Sequence, residues 1–564
     1  MPLARPLVLL LVLGSVIGLV GCRSPFGDRS EKSAPAPTAA GEDALRRGRD
    51  PREANPWFAD GRRAVGRAAR FVAGEAPAKN VILFVGDGMG ISTVTAARIL
   101  EGQRRGGTGE EHRLVFETLP HLALAKTYTT DSQVPDSAGT MTALMTGVKT
   151  KTGVLGVDER VQRGRFESVE GARVATLLEE AEARGLATGI VSTATVTHAT
   201  PAGCYAHVPF RFWEDDSRMS PEARQAGFPD IARQLVELRE GDGIDVALGG
   251  GRRHFRPSSE IDPEDPSQRG GRLDGRDLVR EWQAGRPGSA YVWNREGLRR
   301  LDLAKTTRVL GLFEPGDLHW EAERARDRAG EPSLAEMTTV AIDLLARDPD
   351  GFFLMVEGGR IDHGHHVGSA YHALSDTIAL AEAVQVALEK TNPRETLVVV
   401  TADHSHTLTI SGYAKRGNPI LGKSIATDWL AEGKTTPGLD ALDRPYTTLS
   451  YANGPGYTGA SNAQPEGPHR LPHDPCDARP PYACHYRGIT RGRPDLSSVD
   501  TEAPDYLQEA TVPMAQETHA GEDVPIYAGG ARAALFHGVK EQSYVYHAMV
   551  EALGWTRAGV PVPR

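Results

Sequence analysis

Five short apolar runs, each paired with an amphipathic helical stretch, constrain this chain more than any other feature. "NVILFVGDG" (80–88) leads into "STVTAARILEGQRR" (92–105), and "GLATGIVST" (185–193) follows "VATLLEEAEARG". "IDVALGGG" (244–251) follows "DIARQLVELREG", "GFFLMVEGG" (351–359) follows "LAEMTTVAIDLLARDP", and "TLVVVTADH" (396–404) follows "ALSDTIALAEAVQVALEKT". A strand that is apolar at every position must be covered on both faces, and helices between such strands supply the cover. The pattern predicts an α/β fold: a central, mostly parallel sheet with helices on both faces.

The chain has 564 residues, long enough for one large α/β domain with insertions, and 40% hydrophobic with 24% charged residues is a globular balance. A net charge of −10 argues against nucleic-acid binding, which needs a basic surface against the phosphate backbone. From about 410 to 512 the chain turns rich in Gly, Pro, Asn, Asp and Tyr, which reads as an irregular, crown-like insertion. The core is then expected over 52–409 and 513–564.

The first residues read as an export signal. Arg5 is followed by the apolar run "LVLLLVLGSVIGLVG" (7–21), shorter than the roughly 20 apolar residues of a spanning helix. It ends in Leu19-Val20-Gly21-Cys22, which resembles a bacterial lipobox, so residues 1–21 are expected to be cleaved and Cys22 lipidated. Residues 22–51 read as a flexible tether, and Arg23 and Ser24 offer no inner-membrane retention aspartate. The expected address is an exported bacterial lipoprotein on the periplasm-facing outer membrane or the cell surface, held by lipid only. Export permits a disulfide between Cys476 and Cys484, with other pairings open, and leaves Cys204 as a buried thiol.

In open α/β sheets, chemistry gathers at the carboxyl ends of the strands. Asp87 follows "VILFVG", Glu357 ends "FFLMVE", and Asp362, His363, His365 and His366 follow in a stretch read as a glycine-rich loop. Asp403 and His404 follow "LVVVTA", and His519 lies in "ETHAGEDVPIYAGG". Any one of these has a bland reading: an aspartate after a strand is often a helix cap. Together they form a ligand set of carboxylate and imidazole that suits zinc, with carboxylate and hydroxyl oxygens suiting magnesium. Such a set has to be assembled from across the chain, as in catalytic metal centres. "PDSAGTMTALMTGV" places Ser137 at the start of a helix, where free N–H groups and the helix dipole attract phosphate. Coordination to a metal would lower the pKa of its hydroxyl and make it a nucleophile without a histidine base.

Seven stretches in order resemble the alkaline phosphatases, closest to the animal-type branch. They are "NVILFVGDGMGISTVTAARIL", "VPDSAGTMTA", "THATPAGCYAH", "DVALGGGRR", "FFLMVEGGRIDHGHH", "VTADHSH" and "ETHAGEDVPIYA". The resemblance runs from about Asn55 to Trp555 and implies hydrolysis of phosphate monoesters through a phosphoserine at Ser137. It implies one zinc on Asp362, His366 and His519, a second on Asp87, Asp403 and His404, and a magnesium on Asp87, Thr200 and Glu357 with His198 behind it. Arg211, in "YAHVPFRFW", aligns with a phosphate-clamping arginine. A calcium site is implied at Glu264, the carbonyl of Phe313, Glu314 and Glu331, where glutamate stands in place of the family's usual aspartate. Small phosphorylated substrates and a homodimer are implied as partners. The chain departs from the family in its lipoprotein-like leader and in a longer segment between His404 and His519.

Two kinds of alternative stand beside this reading: a phosphodiesterase or sulfatase built on the same sheet, and a protein that is not an enzyme. A phosphodiesterase of the same superfamily commonly lacks the third metal site and the arginine. A sulfatase needs a C/S-x-P-S-R context that "DSAGT" does not provide. A non-catalytic metal-binding lipoprotein would need the ligands but neither Ser137 at a helix start nor Arg211.

Overall fold

The computed structural model describes residues 51–428, 430–440, 443–457, 470 and 493–555. Cys22, Cys476 and Cys484 lie outside the described residues, as do the leader and the tether up to residue 50. In chain order the strands are β1 (Asn80–Gly86), β2 (His121–Lys126), β3 (Ala187–Thr195), β4 (Val246–Gly250), β5 (Ser289–Val292), β6 (Arg308–Leu312), β7 (Phe352–Gly358) and β8 (Thr396–Ala402). Short strands follow: β9 (Ser405–His406), β10 (Leu408–Ile410), β11 (Ile425–Thr427), β12 (Thr435–Pro437), β13 (Leu449–Gly454), β14 (Ala510–Pro513) and β15 (His519–Ala520). The last two are β16 (Val524–Gly530) and β17 (Gly538–Glu541).

Ten of these make one sheet in the order β17-β2-β16-β8-β1-β7-β3-β4-β6-β5. All neighbours run parallel except β16, which is antiparallel to both β8 and β2. The five apolar runs became β1, β3, β4, β7 and β8, the centre of the sheet. Every residue of β3, β4, β7 and β8 is buried, as double-sided cover requires. Helices Leu334–Leu345 and Ala370–Lys390 pack on each other and on β7, and helix Leu177–Glu182 packs on β3 and β7. Phe84 in β1 is wholly buried, so truncating it to alanine would cost about 3–5 kcal/mol.

Two parts of the sequence reading need amending. "RIDHGHH", expected as loop, is a helix, Arg360–His366. Gly359 at its N-cap and the single interior Gly364 read as loop punctuation, but Gly364 is glycine because the Ala373 backbone lies against it, where a Cβ would sit 2.6 Å from Ala373 N. The strands β2, β5, β6, β16 and β17 were also not anticipated. They are short or mixed in character, and β2 has only two of its six residues buried.

The region after β8 builds a small sheet, β10-β13-β14, and an antiparallel pair, β11-β12. The pairing that matters for function is β15 with β9, which sets His519 opposite His406 and so carries a residue from near the chain's end to the end of β8.

Candidate active site

Register places the polar residues. Gly86 of β1 pairs with Gly358 of β7 and Ala402 of β8, so Asp87, Gly359 and Asp403 emerge side by side at one edge. One step lower, Glu357 pairs with Val85 of β1 and with Ser192 of β3, whose hydroxyl donates to Glu357 Oε2. Gly88, at φ 68°, turns the chain back so that its N–H donates to Asp403 Oδ1 at 3.0 Å. A Cβ there would sit 2.3 Å from the His406 ring, so only glycine fits.

Ser137 is the first residue of the helix Ser137–Thr146, all of it buried. Asp136 caps that helix, accepting from Gly139 N at 3.1 Å, and it also accepts from Gly153 N at 3.0 Å. Its other oxygen takes Arg211 Nη1 at 3.0 Å, while Arg211 Nη2 lies 2.9 Å from His198 Nε2. The cap, the serine and the arginine are therefore one bonded unit. Ser137 Oγ lies 3.2 Å from His404 Nε2. The same nitrogen is 3.3 Å from Asp87 Oδ1 and from Asp403 Oδ2, so it faces a focus of oxygens and not a proton-transfer partner alone.

Three groups of donor atoms converge, each with its atoms within 4.8 Å of one another: Asp362, His366, His406 and His519; Asp87, Asp362 and His404; and Asp87, His198 and Glu357. Thr200 Oγ1 donates to Asp87 Oδ2 at 3.4 Å. Asp403 joins through Thr140 Oγ1 at 3.3 Å, and the His404 and His519 rings stack at 3.6 Å. His366 and His519 are aimed from behind: their Nδ1 atoms lie 2.6 Å from Glu517 O and 2.8 Å from Pro135 O, leaving both Nε2 atoms turned toward Asp362. The residues expected as ligands lie close together, although the group that holds Asp87 and His404 takes in Asp362 where Asp403 was expected. His406 was not anticipated; its Nε2 is 2.7 Å from Asp362 Oδ1 and its Nδ1 bonds Glu517. The signal existed in "DHSH": in extended chain, residues two apart share a side.

The electrostatics call for cations. Burial, reinforced by Asp403, Asp362 and Glu357, pushes the Asp87 carboxyl well above its usual range. Burial also lifts Glu357, to about 8, and lifts Asp403. Burial acts the same way on Asp362, but His366, His406 and His519 outweigh it and hold that carboxyl low. Burial keeps His404 and His366 neutral, His366 at about 4, as ligands must be. Asp87 Oδ1, Glu357 Oε1 and His404 Nδ1 are buried without hydrogen-bond partners. Buried carboxylates that repel one another and leave oxygens unsatisfied fit metal ions of the zinc and magnesium kind.

Of the residues read as a calcium site, Glu314 meets Glu264 in one cluster and Glu331 in another. Glu264 and Glu314 cluster with Asp327, and Glu314 and Glu331 with His319. Phe313 is buried just after β6. Glu264 is bonded by Arg252 Nη2 at 2.9 Å, and Glu314 Oε1 is buried without a partner. Four carboxylates with a free oxygen suit a hard divalent ion. Asp327 and His319 were not anticipated, because both fall in the irregular stretch between Gly316 and Ser333. Cys204 is a buried free thiol, as expected.

A parallel α/β sheet that gathers clustered carboxylates, imidazoles, a helix-start serine and an arginine at its carboxyl edge defines a metal-dependent phosphohydrolase class. Comparisons with known proteins narrow it. The alkaline phosphatase family model matches residues 78–555. The tissue-nonspecific alkaline phosphatase of Gallus gallus is 45% identical over 482 residues, 84% of each chain, and its Homo sapiens counterpart is 44% identical over 483 residues, 84% of this chain and 83% of that one. The alkaline phosphatase of Thermus thermophilus matches in structure with a TM-score of 0.56 and 25% identity, over 85% of this chain and 92% of that one. The alkaline phosphatase of the Antarctic bacterium TAB5, at 20% identity and a TM-score of 0.53, covers 85% of this chain and 99% of its own and shares the fold. The chain belongs to the alkaline phosphatase family and is a phosphoric monoester hydrolase.

Proposed function

We propose that the chain hydrolyses phosphate monoesters in two in-line steps through a phosphoserine on Ser137. The observation that carries this reading is the bonded unit of Asp136, Ser137 and Arg211 set against buried carboxylates with unsatisfied oxygens. Arg211 donates to two phosphate oxygens as a planar fork, with the positive end of helix Ser137–Thr146 beside it. Ser137 Oγ attacks phosphorus as the ester oxygen departs, taking a proton to leave as the alcohol. Water then attacks the phosphoserine from the opposite side, releasing phosphate and restoring the serine hydroxyl. Asp136 and His198 keep the guanidinium in place through both steps.

Two zinc ions and one magnesium complete the proposal: Asp362, His366 and His519 for one zinc, Asp87, Asp403 and His404 for the other, and Asp87, Thr200 and Glu357 for magnesium. When bound, such ions neutralise the developing oxygen charges and acidify hydroxyl groups. A calcium ion at Glu264, Phe313, Glu314 and Glu331 belongs to the same reading. So do a homodimer and an exported lipoprotein anchored through Cys22 on the periplasm-facing outer membrane or cell surface, its core over 52–409 and 513–564 and its crown-like insertion over 410–512. Among the described residues no helix is long and apolar enough to cross a membrane.

Rates on 4-nitrophenyl phosphate and bis(4-nitrophenyl) phosphate, with and without chelator, test the reading. Monoester turnover should dominate, vanish on chelation and return with zinc and magnesium. Dominant diester turnover, or turnover that survives chelation and dialysis, would overturn it.

A further inference from the structure

The arginine assigned to phosphate is flanked by two phenylalanines, Phe210 and Phe212, and both are exposed, at 36% and 38%. Exposed apolar residues scattered singly need no explanation. These two are not scattered: their rings meet edge to face at 5.2 Å, and the Arg211 guanidinium carbon lies 5.6 Å from the Phe212 ring centre.

The backbone that carries them is braced on every side. Trp213 N donates to Phe210 O at 3.1 Å, closing a turn with Arg211 and Phe212 at its tip. Arg211 N donates to Gly153 O at 2.9 Å, and Gly164 N to Pro209 O at 3.0 Å, so the segment 153–164 backs the turn. Leu155 and Val208 exchange both backbone hydrogen bonds just before it. Trp213 is buried in a small cluster with Met219 and Ala223, against which Phe166 and Phe228 pack. The turn is thus anchored below and presents two rings above, with few degrees of freedom to lose on contact.

We infer that Phe210 and Phe212 form a leaving-group subsite selecting phosphate monoesters whose alcohol carries a flat aromatic ring. This rests on the assignment of Arg211 to the phosphate. With the Phe212 ring centre 5.6 Å from the guanidinium carbon, a group esterified to a phosphate held by Arg211 would lie within reach of that ring. A flat ring gains edge or face contact there with Phe212 and Phe210 at little ordering cost, because the turn is already fixed. A short polar alcohol, such as that of a glycerol phosphate, gains nothing from the rings. The subsite discriminates through the part of the substrate that does not react, so its effect appears in binding as well as in turnover.

The experiment uses two non-hydrolysable probes, phenylphosphonate and methylphosphonate, as competitive inhibitors of the metal-loaded full chain. Their comparison removes leaving-group acidity from the result. The wild type should bind phenylphosphonate about tenfold more tightly than methylphosphonate. In Phe210→Ala/Phe212→Ala the ratio of the two inhibition constants should fall toward one, and Phe212→Tyr should restore most of the preference lost in Phe212→Ala. An unchanged ratio in the double variant, or no preference in the wild type, would overturn the inference while leaving the phosphate site standing. Failure of both phosphonates to compete would instead sink the assignment of Arg211. Sedimentation that loses a dimer in the double variant, with the inhibition ratio unmoved, would reassign the rings to a contact between copies.

Discussion

Replacing Arg211 tests the phosphate clamp and separates it from the scaffold. Two of its five N–H donors are already engaged, one on Asp136 Oδ2 and one toward His198 Nε2, which leaves the rest of the fork for phosphate. A hydrogen bond to a charged group contributes about 1.5–3 kcal/mol. Two such bonds made to the reacting phosphoryl group amount to about 3–6 kcal/mol, or roughly a 10²–10⁴-fold fall in kcat/KM for Arg211→Ala. Arg211→Lys keeps the charge but not the fork, and should fall by about ten- to a hundredfold. The fold should be little affected. Asp136 keeps its bonds from Gly139 N and Gly153 N, so the loss of this mostly buried ion pair should cost no more than about 1–3 kcal/mol. The assay is kcat/KM for 4-nitrophenyl phosphate together with the inhibition constant for inorganic phosphate, with thermal melting as the control. A value for Arg211→Ala within threefold of wild type, at unchanged melting temperature, would refute the clamp.

His406 bridges Asp362 and Glu517 and is raised to about 10, because those carboxylates outweigh its burial; His406→Asn should weaken metal retention by about 10- to 100-fold, read by competition with a chromogenic chelator. Retention equal to wild type would show that Asp362 needs no such support. Far from the site, burial lifts Glu182 to about 8 although Thr188 and Gly243 bond to it. Its folded pKa lies above the unfolded one, so its proton-linked stability is present below about pH 4.5 and is lost as pH rises toward 8, by at most about 5 kcal/mol. Glu182→Gln should therefore flatten the fall of melting temperature between pH 5 and 8, and an unaltered slope would rule this linkage out.

Much of the site was legible because strand ends announce it. Asp87, Glu357 and Asp403 each end an uninterrupted apolar run, and parallel registry of β1, β7 and β8 then puts Asp87 beside Asp403 with Glu357 two residues lower on β7. The grouping of His519 with Asp362 and His366 was legible only through family resemblance. Its place depends on the pairing of β15 with β9, a contact between segments more than a hundred residues apart that leaves no local periodicity. Helix Arg360–His366 was obscured by its glycines, which serve close packing and not a turn. His319 and Asp327 were invisible for a related reason: their stretch has neither a period of two nor of 3.6, so nothing in it says which residues face inward. The edge strand β17 and its neighbour β2 were hard to see because they are partly exposed and have no continuous apolar run.

The central claim is that Ser137 Oγ is the atom that takes the phosphoryl group. Acid quenching of the metal-loaded enzyme during turnover, followed by mass analysis of the peptide that holds Ser137, measures this directly. The account predicts one phosphoryl group on Ser137 in the wild type, and neither label nor turnover above the background of metal-assisted hydrolysis in Ser137→Ala with its metals confirmed bound. A phosphoryl group on another residue, or turnover at the wild-type rate in Ser137→Ala, would contradict it.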